Sequence, residues 1–119
     1  MNAVLIEETE ENFIRASVPP AELVAEGDPR SKTWVAENFN SGGSVSTGIW
    51  TAEPGTLKVK SYPVDEVFTV LQGKIEVTNE DGSVVRVEPG QSCLLRKGWS
   101  GLFRTVEPTR KCFVTVDGK

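Results

Sequence analysis

Apolar and polar residues alternate at period two along most of the chain, and glycine, proline or Asp-Gly interrupts the alternation at short intervals. Ser44 to Thr51 sets Val45, Thr47 and Ile49 against Ser46, Gly48 and Trp50. Thr33 to Phe39, Leu57 to Tyr62, Val67 to Gln72, Lys74 to Thr78 and Val84 to Val87 read as further short strands. So do Cys93 to Leu95, Leu102 to Val106 and Lys111 to Val116. Asn79-Glu80-Asp81-Gly82 predicts a hairpin, because Asp-Gly supplies the positive φ that twist-matched turns need. Glu53-Pro54-Gly55, Gly73, Glu88-Pro89-Gly90 and Lys97-Gly98 mark tight turns. Only Ala21 to Glu26, after Pro19-Pro20, could form a helical turn. About nine or ten short strands at regular spacing predict an all-β sandwich or barrel.

Residues 1–26 read as an N-terminal strand or arm and residues 27–117 as the barrel of a single domain covering 1–119. Ala3-Val4-Leu5-Ile6 suits a strand added to a sheet edge, its own or a partner's, with Phe13 and Ile14 as a second anchor. An arm of this kind predicts a homodimer. A net charge of −4, a pI near 4.9 and no basic cluster beyond a doublet argue against nucleic acid or an anionic membrane as partner. No apolar run approaches bilayer length, and Met1-Asn2-Ala3 does not lead into an export signal. Cys93 and Cys112 match no redox or zinc spacing and read as buried free thiols, which suits the cytoplasm.

The chain has no histidine, which removes imidazole bases, Ser-His-Asp triads and Cys-His pairs. Carboxylates, Lys, Tyr and Cys remain. Asp65-Glu66 stands where one strand ends and the next begins, a usual place for a site in a β protein. Trp50 and Trp99 are of the type that walls small-ligand pockets, although such residues more often pack a core.

The run Asp65-Glu66-Val67-Phe68-Thr69-Val70-Leu71-Gln72-Gly73 followed by Glu88-Pro89-Gly90-Gln91-Ser92 resembles the two motifs of the cupin superfamily. Gly48-Ile49-Trp50, Glu53-Pro54-Gly55 and Glu107-Pro108-Thr109-Arg110-Lys111 are similar, more narrowly, to small cupins of the ureidoglycine aminohydrolase type. The resemblance implies a jelly-roll fold. In metal-binding cupins it also implies a cation held by three histidines and a glutamate. Here the positions of the first-motif histidines fall on Lys60 and Tyr62, on Val59 and Ser61, or on Ser61 and Pro63. That of the second-motif histidine falls on Gly101. Glu66 alone matches a ligand, so no metal and no other cofactor is expected.

If the strand through Tyr62 keeps the parity of the family's ligands, Lys60, Tyr62 and Glu66 face the interior and form a candidate acid–base set. The opposite parity places Leu57 and Val59 inside and Lys58 and Lys60 in solvent. The candidate ligand-binding residues are Trp50, Tyr62, Glu66, Trp99 and Cys112, the last at a position where the family often has histidine. The reading is a small-molecule-binding cupin. The alternatives are a metal-independent or weakly metal-dependent enzyme, aminohydrolase- or isomerase-like, on a small polar substrate, and a structural or partner-binding domain with a filled barrel.

Overall fold

The computed structural model describes residues 1–118; Lys119, the end of the expected domain, lies outside the described residues. The strands are β1 (Phe13–Ser17), β2 (Val24–Gly27), β3 (Ser31–Asn40), β4 (Gly43–Ala52), β5 (Gly55–Val59), β6 (Asp65–Asn79), β7 (Val84–Val87), β8 (Ser92–Leu95) and β9 (Gly101–Gly118). A single 3-10 turn, Ala21–Leu23, follows Pro19-Pro20 where one helical turn was expected. No helix among the described residues is long and apolar enough to cross a membrane.

All pairings are antiparallel, and two long strands organise them. The C-terminal part of β9, Thr109 to Gly118, pairs with β4, while its N-terminal part, Gly101 to Thr105, pairs with β5. On its other side β9 runs along β6 for most of its length. The first part of β6 pairs with β8 and the second with β7. One layer therefore reads β8-β6-β9-β4-β3-β1 and the other β7-β6-β9-β5-β2, joined where β6 and β9 bend. This is the all-β cupin jelly roll that the sequence implied, with both sheets wrapped around one interior.

The expected boundaries differ most at those bends. Val67 to Gln72 and Lys74 to Thr78, read as two strands about a turn at Gly73, are one continuous strand. Register shifts between Val70 and Ile75 bend it without ending it. Gly73 has φ +89°, and a Cβ there would lie 2.3 Å from Thr109 Oγ1 and 2.5 Å from the Pro108 carbonyl. Only glycine fits a left-handed position pressed against the neighbouring strand. The bend also reverses parity: Glu66, Phe68 and Val70 are buried before it, Ile75 and Val77 after it. Leu102 to Val106 and Lys111 to Val116 likewise merge into β9 through Glu107-Pro108.

The core comprises Phe68, Val70, Ile75, Val77, Val87, Leu95, Phe103 and Phe113. Full burial of each such side chain stabilises the fold by roughly 1.5–3 kcal/mol. Phe103 of the smaller layer meets Trp50 and Phe68 of the larger edge-on, both at 5.9 Å between ring centroids.

The N-terminal segment departs from expectation. The edge strand is formed by Phe13–Ser17 and not by residues 3–6, and it pairs with the chain's own β3. Before it, Glu8 pairs with Arg110 and the Asn12 carbonyl accepts the Val35 N–H, so the segment is held against its own sheet. β1, within the expected arm, and β2, which crosses the boundary expected after residue 26, are strands of the two layers.

Candidate functional site

A cavity of about 640 Å³ opens between the layers, with Trp50, Leu57, Val59, Phe103 and Phe113 among its walls. At its base Glu66 is 4% exposed and Lys111 is 5% exposed. Lys111 Nζ donates to Glu66 Oε2 at 2.8 Å. The Tyr62 hydroxyl donates to the other oxygen, Oε1. Both carboxylate oxygens thus have partners and the buried charge is neutralised.

Three rings surround the ammonium. Nζ lies 4.4 Å from the Phe68 centroid, 4.5 Å from that of Trp50 and 5.0 Å from that of Phe103. Ring faces attract a cation, more strongly where water is excluded. Burial, followed by the Glu66 charge and its hydrogen bond, pushes the Tyr62 phenol well above its ordinary value of 10.0. Tyr62 is therefore a proton donor held on a carboxylate.

Local backbone geometry delivers these groups. β5 ends at Val59, and Ser61 turns at φ +52°, a conformation that L-residues adopt infrequently. The Ser61 N–H bonds Ser100 Oγ at 2.9 Å. Tyr62 N–H donates to the Trp99 carbonyl at 2.8 Å, and the Tyr62 carbonyl accepts the Gly98 N–H at 2.8 Å. The ring is thereby aimed inward from a segment that no longer follows strand parity. Glu66 and Lys111 sit on the paired strands β6 and β9 but not opposite each other: Glu66 pairs with Thr115 and Val70 with Lys111, so the Lys111 side chain reaches along the sheet to the carboxylate.

Of the sequence candidates, Trp50, Tyr62 and Glu66 line the cavity. Lys60 does not: on β5 Leu57 and Val59 turn inward, and Lys58 and Lys60 are exposed. The turn at Ser61, absent from the parity argument, lets Tyr62 enter without Lys60. Trp99 is not a wall either. Its Nε1 donates to Asn79 Oδ1 at 2.9 Å, its ring packs over Gly101 and against the core, and its carbonyl supports Tyr62. Cys112 lies on the opposite face from Lys111, next to Thr69 and Ile49, and burial pushes its thiol up despite Arg110 nearby.

Lys111 is the partner of Glu66 in the cavity and was not among the sequence candidates. A signal for it existed: it sits two residues from Phe113 in a strand whose odd positions face the core. What the pattern could not supply was a carboxylate to receive it.

A divalent cation does not fit this donor set. No three His, Cys, Asp or Glu side chains converge among the described residues, and both Glu66 oxygens are occupied by an ammonium and a phenol. The architecture defines a cupin whose interior polar group is an organic ion pair. The chain belongs to the EutQ-like cupin domain family, which matches residues 39–113. A search of curated proteins found no match.

Among solved structures, the chain is similar to a protein of unknown function of the DUF861 family from Pseudomonas syringae, with a TM-score of 0.78 and 15% identity over 87% of this chain and 44% of that one. The chain thus spans less than half of that protein's length. It is similar also to a putative ethanolamine utilization protein Q from Salmonella typhimurium (TM-score 0.60, 21% identity, 75% of this chain and 71% of that one). A DUF861 family protein from Thermotoga maritima is 34% identical over 55% of this chain and 73% of that one, with a TM-score of 0.51.

Proposed function

We propose that this chain binds a small molecule between its two sheets without using a metal ion. The observation that carries the reading is the Glu66–Lys111–Tyr62 set at the base of an open, aromatic-walled cavity. Apolar walls with a few placed polar groups are the usual composition of a small-ligand site. Leu57, Val59 and Phe103 line the space without filling it, which weighs against a purely structural, filled barrel. Thr33, Ser46 and Thr115 add neutral hydrogen-bonding groups to the cavity lining.

A second reading is favoured by Tyr62: a phenol donating to a carboxylate that also receives an ammonium is a proton-transfer chain. On that reading the protein is an aminohydrolase- or isomerase-like enzyme, with Lys111 in the role considered for Lys60. The narrower likeness to the ureidoglycine aminohydrolase type belongs to this reading and rests on Gly48-Ile49-Trp50 and the Glu66-to-Gly73 block.

Glu66→Gln separates the two. Neutral ligands found by thermal-shift screening should bind the variant within a few-fold of wild type, whereas proton-transfer turnover should vanish. Turnover that survives the change removes Glu66 as acid or base. A screen in which no small molecule raises the melting temperature removes the binding reading.

The single domain is proposed as a cytoplasmic homodimer. Leu94, Val67 and Val114 form an exposed cross-strand apolar row on the outer face of the larger layer, and with the exposed Val4 and Leu5 of the N-terminal segment they are the apolar surface available to a second copy.

A further inference from the structure

We infer that the cavity is selective for small monoanions, with Arg15 on β1 as the residue that receives the ligand's carboxylate. The inference rests on the binding reading above and names its ligand class.

The first support is a bulge. Phe13 pairs with Trp34 and Arg15 with Thr33, so two steps on β1 match one on β3. In a regular strand Phe13 and Arg15 would share a face. Instead Phe13 stacks edge-on against Trp34 at 5.5 Å, while Arg15 lies beside Thr33, and both Arg15 and Thr33 line the cavity. Bulges re-aim side chains in this way and recur beside functional sites.

The second support is charge. Every other arginine of the chain has a carboxylate partner: Arg30 with Asp28, Arg86 and Arg104 with Glu76, Arg96 with Asp65, Arg110 with Glu8. Arg15 makes no ion pair among the described residues, in a chain where Asp and Glu outnumber Lys and Arg by 17 to 13. Arg15 is an exposed residue at the cavity's rim; among the lining residues Glu66 and Lys111 cancel, which leaves its guanidinium as the unbalanced charge. A guanidinium binds a carboxylate through two parallel hydrogen bonds, while Trp50 and Phe103 offer apolar surface to the rest of the ligand.

The test is titration of benzoate and of benzamide at low salt, followed by NMR at the Trp50 indole N–H. Wild type, Arg15→Gln and Lys58→Gln are compared. Lys58 is exposed and absent from the cavity lining, so the last variant controls for net charge.

Wild type and Lys58→Gln should prefer benzoate by about tenfold or more, the range of a hydrogen bond to a charged group. Arg15→Gln should lose that preference and keep its benzamide affinity. Equal binding of the two probes to wild type, or equal weakening of both in Arg15→Gln, overturns the inference and leaves the cavity reading standing. Failure of both probes to bind wild type overturns the two together.

Discussion

Glu66 and Glu76 lie ten residues apart on the same strand, β6, and each pairs with a cation on β9. Regular alternation would place both on one face. Glu66 instead points into the interior, with its side chain 5% exposed and held by Lys111 and Tyr62. Glu76 points outward at 19%, bridging Arg104 at 3.0 Å and Arg86 at 2.9 Å. The bend around Gly73, which reverses the strand's parity, separates them. One carboxylate became part of a cavity and the other part of a solvated surface network. Residue type did not decide which.

The sharpest test of that contrast removes the cation from each pair. Lys111→Met leaves Glu66 buried and uncompensated and should lower stability by about 3–5 kcal/mol in urea unfolding. Arg104→Met leaves Glu76 with Arg86 and water and should cost about 1 kcal/mol or less. If Lys111→Met does not fold, the double variant Glu66→Gln/Lys111→Met should, because it removes both buried charges together. Equal losses for Lys111→Met and Arg104→Met would show that burial does not distinguish the two pairs.

Gly73→Ala attacks the device that separates them. A left-handed non-glycine residue is strained by about 1–3 kcal/mol, and the Thr109 and Pro108 atoms crowd the new methyl. A midpoint unchanged from wild type would show that the bend does not require glycine there.

The smallest effect is spectroscopic and concerns Glu66 alone. Tyr62 is the chain's single tyrosine, so phenolate absorbance reports it without interference. Its folded pKa is raised, first by burial and then by the Glu66 charge. The unfolded phenol ionises near pH 10 while the folded one stays protonated. Its contribution to stability is therefore full below about pH 10 and is lost as pH rises above it. Phenolate should appear only together with alkaline unfolding. Phenolate in a protein whose circular dichroism is still native would mean that Tyr62 is not held on Glu66.

Much of the fold was legible because period-two alternation and turn chemistry are local properties. Asp81-Gly82 turns with Gly82 at φ +88°, and Val84–Val87 is a strand with the bounds read from the sequence. The all-β class, the cupin likeness, the absence of imidazole chemistry and the choice of Glu66 all followed from residue types and spacing. The site was only half legible, because its members meet through tertiary geometry. Lys60 was lost and Tyr62 kept by one backbone turn at Ser61. Trp99 and Cys112 were excluded by packing over Gly101 and by the opposite face of β9. Arg15, still exposed, was brought beside Thr33 at the cavity's rim by a bulge that hydrophobic spacing does not register. Lys111 could be placed on the core side from Phe113, but only the folding of β9 beside β6 brought it to Glu66. Local pattern determines which residues can form strands. Which face each presents past a bend, and which charge it meets there, is set by register between strands far apart in sequence, and that information exists only once the sheets have closed.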